Sequence, residues 1–389
     1  MRLIGGRVER RGDAWYLTDA YVERALPAVD GLVPAALAVL SCTVRGGRIT
    51  EATLVELHPK PGAAPEGTGR DVARLRDGGV AARLRERSRA LAAVRRYFEE
   101  QGFLEVETPS LVPCPGLDLH LEAFGVVAEP ARYLITSPEF QMKRLLVGGL
   151  PRVYQLARSY RRGELGVHHT PEFTMLEWYR AFAAMDEVVR DTEALVEQVF
   201  VAMGASTRRT LKGRELDVRR PWPRWTVAEA FERFAGVAEA TMLEWAHHDE
   251  ERFFRTLVDT IEPSLAELET PAILLRYPAP MASLARLCPD DERYAERFEV
   301  YAAGLELCNG FGELTCPVEQ RARFERDREE RRARGLEVYP LDERFLEALG
   351  AGMPPSAGNA LGFDRLLALS LGTDDIHELQ AFPPGELEP

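Results

Sequence analysis

Residues 152–182, RVYQLARSYRRGELGVHHTPEFTMLEWYRAF, admit one simple local fold: two strands that double back around a polar loop. The strand-like runs are Val153–Tyr160 and Phe173–Ala181. In the second run, period-2 alternation puts Phe173, Met175, Glu177 and Tyr179 on one face and Thr174, Leu176, Trp178 and Arg180 on the other. A ring, a carboxylate and a phenol in line make poor core. They suit a surface that stacks on a flat ring and holds a cation. Arg161 and Arg162 in the loop each carry a donor fork that matches a phosphate. An ordinary hairpin with a charged turn is the competing reading, and the hairpin alone does not separate the two.

Composition narrows the class. With 389 residues, 46% of them hydrophobic, the chain can bury one large core and a smaller one. No run of 18 apolar residues exists and the first residues, MRLIGGRVERRGD, lack an apolar signal core, so a soluble cytoplasmic protein without membrane contact is expected. Five cysteines, odd in number and without CxxC spacing, argue against a disulfide scaffold or a zinc site. A net charge of −13 opposes a broad polyanion footprint but leaves room for a small anionic ligand.

Residues 1–60 read as short strands (3–10, 14–21, 35–44 and 49–57) separated by glycine turns, which suggests a small barrel of oligonucleotide-binding (OB) type. It holds eight Lys/Arg against seven Asp/Glu, a weak footprint for nucleic acid. A Pro/Gly/Ala linker at 59–69 and a charged helix over 71–101, broken at Gly78-Gly79, come next. The expected partition is a β-domain at 1–60, a linker and helix at 61–81, and a larger domain at 82–389. GFLEVETPSLVP (102–113) reads as a short strand ended by Thr108-Pro109. Ser137-Pro138-Glu139 reads as a helix start with Ser137 as cap. A helix is expected at 186–203, strands at 273–277, 298–307 and 311–314, and a solvated charged helix at 317–334. The segment 205–270 reads as mixed helical, with no chemistry assigned, and His247-His248 as surface.

Two further motifs raise the hairpin above an ordinary one. In ELCNGFGEL (306–314), Glu306 and Glu313 are seven apart and would face opposite ways on a regular strand. A bulge or turn at Asn309-Gly310 would restore a shared face, where the pair suits Mg²⁺ against phosphate oxygens. In GNALGFDR (358–365), small residues let backbone approach a nucleotide, and Arg365 sits at a strand-to-helix junction within reach of a terminal phosphate.

Together these stretches resemble the three motifs of class II aminoacyl-tRNA synthetases of the lysyl branch. GFLEVETPSLVP resembles the first, RSYRRGELGVHHTPEFTMLEWYR the second and GNALGFDRLLAL the third. TSPEFQMKRLLVGG, ERFEVYAAGLELCNGFGEL and RARGLEVYPLDERFLEALGAGMP are similar to one group within that branch: truncated paralogues that ligate (R)-β-lysine to elongation factor P. The resemblance spans about residues 82–385. It implies an α+β catalytic domain on an antiparallel sheet, dimeric through the first motif, that forms an aminoacyl adenylate from ATP and (R)-β-lysine or lysine.

By position, the resemblance places Arg161 on the ATP α-phosphate and Arg365 on the γ-phosphate. Arg162, Gly163, Glu164, His169 and Thr170 fall on the ATP loop, Phe173 under adenine, and Leu307 and Gly362 beside the nucleotide. Ser137, Pro138, Glu139, Tyr179 and Glu313 fall on the amino acid, and Glu306 with Glu313 on the metal. The chain departs from the usual second motif, RNEE or in some members Arg-x-Gly-Glu, in reading Arg161-Arg162-Gly163-Glu164, which leaves Arg161 or Arg162 for the α-phosphate; it departs also at Thr170, where Asn is usual, and in its extra N-terminal module. That module keeps a lysyl-tRNA synthetase with a reduced anticodon domain in play. Ala360, typical of the elongation-factor ligases where the tRNA enzymes have Gly, points to elongation factor P as acceptor with negligible charging of tRNA. A non-catalytic synthetase-like regulator is the third reading.

Overall fold

The structure is a computed structural model that describes residues 1–19, 22–34, 36–58, 74 and 79–386. The expected linker at 59–69 and the start of the expected helix at 71 lie outside the described residues. The chain forms two compact units, Met1–Glu86 with Glu378–Pro389, and Arg87–His377.

The first unit is built on a five-stranded antiparallel sheet. Its strands are β1 (Arg2–Arg11), β2 (Ala14–Thr18), β3 (Glu23–Leu26), β4 (Leu37–Arg45) and β5 (Arg48–His58), in the order β3-β2-β1-β4-β5. The end strands β3 and β5 approach each other, which curls the sheet into the partly open barrel expected of an OB-like module. Alternation sets the inner face. Val8, Leu17, Ala38, Leu40 and Cys42 are buried together, while their strand neighbours are partly or fully exposed. The strand β3 has no counterpart in the sequence reading, because four residues of mixed polarity give too short a pattern to see.

The second unit is organised around a nine-stranded sheet. Eight strands run in the order β14-β15-β17-β18-β19-β11-β10-β6, and β16 (Leu287–Cys288) pairs with β17. The members are β6 (Leu104–Glu105), β10 (Arg152–Tyr160), β11 (Glu172–Ala181), β14 (Arg224–Thr226), β15 (Ala272–Pro278), β17 (Asp291–Ala302), β18 (Leu305–Gly312) and β19 (Ser356–Gly362). Pairing is antiparallel except at the two edges, β6 on β10 and β14 on β15. The helix α1 (Val80–Glu100) leads into this sheet, and Arg87 ties it there by pairing with Asp364 and donating to Thr174 Oγ1 at 2.7 Å. The same unit carries the helices α2 (Glu139–Val147), α3 (Met185–Gly204), α4 (Pro317–Ala333), α5 (Glu343–Gly352) and α6 (Phe363–Leu371). The mixed segment contains a hairpin, Arg208–Leu211 with Arg214–Asp217, and short helices around Phe231, Phe253 and Ile261 that form their own buried cluster.

Three expectations are corrected. The bulge or turn expected at Asn309-Gly310 is not there: the hairpin turn precedes the carboxylate motif, at Ala303-Gly304, both with positive φ (50° and 83°), as a two-residue hairpin of twisted strands requires. Asn309-Gly310 continues a central strand, and a Cβ on Gly310 would lie 2.3 Å from the Phe298 ring. The register shift falls at Leu307, since Val300 faces Cys308 and Tyr301 faces Glu306. Second, α4 is not simply a solvated face. Arg331 is fully buried and donates to the carbonyls of Glu337, Asp118 and Leu121, and Gln320, Arg323 and Phe324 are buried on the same helix. Third, α2 begins one residue late, with Pro138 in the cap position, although Ser137 Oγ still accepts from Glu139 N at 3.1 Å.

Candidate active site

The expected hairpin forms, β10 against β11, with Val153 opposite Tyr179 and Ser159 opposite Phe173. Its two faces separate as the alternation requires. Thr174 N donates to Asp364 and Arg180 forks onto Asp191 at 2.5 and 2.7 Å on one side. On the other side Phe173 and Met175 line a cavity of about 540 Å³, a size suited to a small ligand.

One end of that cavity carries Arg161, Glu164, His168, His169, Thr170, Phe173, Glu306, Leu307, Gly362 and Arg365. The Arg161 guanidinium lies 5.1 Å from the Phe173 ring centre, and its buried Nε has no hydrogen-bond partner among the described residues. Arg365 donates to the Glu306 carbonyl at 2.6 Å and meets His169 Nε2 at 2.8 Å. Burial, and next the Arg365 charge, lower the His169 pKa, so the ring is neutral and its Nε2 accepts from the guanidinium. Glu306 lines the cavity; desolvation of its carboxyl there and the charge of Glu299 push it up to about 7, with Arg365, Arg297 and Arg161 pulling the other way.

The other end is a closed hydrogen-bonded cluster. Ser137 Oγ donates to Glu177 Oε1 at 2.5 Å and the Tyr179 hydroxyl to Glu177 Oε2 at 2.9 Å. Lys143 donates to Glu139 at 2.5 Å and also pairs with Glu313. Glu177, Glu313 and Lys143 are buried, and Ser137 and Glu139 alone among the six line the cavity. Burial and the charge of Glu139 push Glu177 up to about 8, against the two hydroxyl donors and Lys143. Burial pulls the Lys143 pKa down, but Glu139 and Glu313 outweigh it and raise it above the ordinary lysine value.

Several expected site residues are therefore not at the cavity. Arg162 faces away and pairs with Glu122 at 2.9 Å and Glu337 at 3.7 Å. Gly163 (φ 84°) shapes the loop, and Pro138 is buried at the start of α2. Tyr179 and Glu313 sit behind the cavity wall, so Glu313 is not brought beside Glu306. The structure adds residues the sequence reading missed. Glu299 accepts from Tyr277 at 2.6 Å, Tyr301 at 2.5 Å and Arg297 at 2.5 Å, and all four line the cavity. The signal was present: Arg297, Glu299 and Tyr301 alternate along one strand face, as do Phe173, Glu177 and Tyr179. Lys143 was equally visible, one helical turn after Glu139.

Comparison with known proteins places this geometry. Residues 69–386 match the family model described as tRNA synthetases class II (D, K and N). The chain is 41% identical over 311 residues to the elongation factor P–(R)-β-lysine ligase of Erwinia tasmaniensis, covering 77% of this chain and 94% of that one. It is 40% identical over 326 residues to the ligase of the same name from Edwardsiella ictaluri, 80% of this chain and 98% of that one. The chain belongs to the class II tRNA synthetase family, among the elongation factor P–(R)-β-lysine ligases. As in that family, the enzyme is an ATP-dependent ligase with an α+β catalytic domain. The family match leaves residues 1–68 uncovered, so the OB-like sheet lies outside it. Among the described residues no helix is long and apolar enough to cross a membrane.

Proposed function

We propose that the enzyme activates (R)-β-lysine, or lysine, and transfers it to a lysine side chain of elongation factor P. A substrate carboxylate oxygen attacks the α-phosphorus of ATP, pyrophosphate leaves, and an aminoacyl adenylate forms. The acceptor amine then attacks the acyl carbon, the amide forms, and AMP and a proton depart. The observation that carries this reading is the two-ended cavity. Arg161, with an unpartnered buried Nε over Phe173, and Arg365 stand at one end; Ser137 and Glu139 stand at the other. Guanidinium groups suit phosphates, and carboxylates suit an ammonium. The protein's contribution is positioning and charge neutralisation.

Mg²⁺ fits one of its two expected ligands. Glu306 is a carboxylate open to the cavity among other carboxylates, the hard oxygen donor that Mg²⁺ prefers. Glu313 lies behind the cavity wall, ion-paired with Lys143, and its carboxylate oxygens have no hydrogen-bond partner among the described residues. When bound, the ion would offset charge on the phosphates. Phe173 would stack on adenine, and His169, neutral, would act as a hydrogen-bond partner rather than a base. A homodimer through residues 102–113, working in the cytoplasm, completes the reading.

The rival acceptor is a lysine tRNA, favoured by the OB-like strand order of the first unit. The near-balanced charge of that unit and the net −13 of the chain weigh against it. Intact-mass analysis of elongation factor P after incubation with enzyme, ATP and either lysine tests the proposal. A mass gain of one lysyl unit is expected, with no comparable charging of tRNA under the same conditions; tRNA charging at an equal or greater rate reverses the assignment.

A further inference from the structure

Only three of the 49 basic residues in this chain are lysines: Lys60, Lys143 and Lys212. Arginine serves almost everywhere, including buried positions such as Arg331, Arg323 and Arg180. The exception inside the second unit's core is Lys143, 1% exposed, between Glu139 and Glu313 and 5.9 Å from the Tyr179 ring centre. The cage has no room to spare. Gly358 backs it so closely that a Cβ there would lie 2.2 Å from the Tyr179 ring and 2.9 Å from Glu313 Oε1. A compact ammonium with three rotatable donors fits such a space, and a planar guanidinium does not.

We propose that Lys143 is a positioning residue for the amino-acid substrate. It is a permanent internal cation that fixes Glu139 at the cavity wall, with Glu313 as its buried counter-ion. This rests on the reading of the cavity given above and goes beyond it in giving Glu313 an indirect role. Three carboxylates, Glu139, Glu177 and Glu313, share one cluster with one protein ammonium. Without that ammonium, Glu313 would be left buried with no counter-ion, at high cost. With it, Glu139 has one oxygen held and its carboxylate plane set, and it is the only one of the three that reaches the cavity. Lys143 is held by more than the pair. It sits one turn from Glu139 on α2, a helix anchored by the stack of Phe140 on Phe345 at 4.7 Å. A substrate amine therefore meets a carboxylate that is already oriented, which saves the ordering cost at binding.

The test is a double-mutant cycle of Lys143→Met and Glu139→Gln, read as KM for the amino acid and for ATP in ATP–pyrophosphate exchange. Lys143→Met is expected to raise the amino-acid KM by about tenfold or more while the ATP KM stays within about twofold. The double variant is expected to be no worse than Glu139→Gln alone, because one acts through the other. Multiplying effects, or an unchanged amino-acid KM with only a lowered melting temperature, would overturn the proposal.

A second measurement needs no folded variant. The wild-type chain is treated with an amine-acetylating reagent and mapped by peptide mass, with and without saturating lysine and ATP. Lys143 is expected to stay unmodified in both states while the exposed Lys212 reacts. Labelling of Lys143 that appears on adding the amino acid would identify a displaceable occupant instead of a fixed strut. Failure of the wild-type enzyme to exchange pyrophosphate with either lysine would sink the functional reading itself, a result the labelling pattern cannot mimic.

Discussion

The two ends of the cavity are built on opposite principles. At the arginine end the side chains have loose or missing partners: Arg161 Nε is unpaired, Arg365 rests on a carbonyl and a neutral imidazole, and Glu306 is open. At the carboxylate end Glu177 and Glu139 are hydrogen-bonded by Ser137, Tyr179 and Lys143, and buried Glu313 is held by its ion pair with Lys143. The difference follows from what each end receives. A phosphate chain brings several charges and can recruit mobile cations, whereas a lone ammonium entering a buried site needs acceptors already in place.

The largest effect should come from the loose end. Arg365→Ala is expected to cost about 2–4 kcal/mol of transition-state stabilisation, roughly 30- to 1000-fold in pyrophosphate exchange, by analogy with lost oxyanion donors. Unchanged exchange would break the comparison by removing the phosphate assignment. Next comes a pair within the loop. Arg161→Ala should slow exchange by about tenfold or more. Arg162→Ala, which loses only half-exposed pairs with Glu122 and Glu337, should change it by less than about threefold. Equal losses in both would mean that the loop rearranges when ATP binds.

The closed end is sharpened by pH. Glu177 has a folded pKa of about 8 against an ordinary 4.5, so its ionisation is harder in the folded state. Its contribution to stability is therefore full at low pH and is lost as pH rises from 4.5 through 8. Thermal melting from pH 5 to 9 should show wild type declining relative to Glu177→Gln, by several degrees on the usual scale for such shifts. Parallel curves would show that Ser137 and Tyr179 compensate the buried charge fully. The smallest effect is expected from deleting residues 1–58, whose sheet closes on its own core; exchange should stay within about twofold. A dead but folded truncation would make the first unit part of the site.

The sequence by itself determined the hairpin 152–182, both its faces, and the strand-to-helix step at Gly362-Phe363, because period and end signals are local and short-ranged. Its three motifs were also enough to name the family, since each pairs an unusual residue type with a fixed local spacing. Contacts across the sheet were decided only in three dimensions. The turn at Ala303-Gly304 and the extra residue at Leu307 were hidden because Asn309-Gly310 has the better turn chemistry, whereas in the fold that pair is laddered on both sides, to Glu299 and Phe298 and to Ala360 and Asn359. Nor could spacing say that Arg161 would turn inward and Arg162 outward, since the choice depends on Glu122 and Glu337, both far along the chain. Glu313 is the sharpest instance. Its motif marks it as a site carboxylate, but its partner is set by α2 packing against the sheet, which brings Lys143, 170 residues earlier, onto it. Local pattern fixes which groups a strand presents; the packing of distant elements fixes what each of them meets.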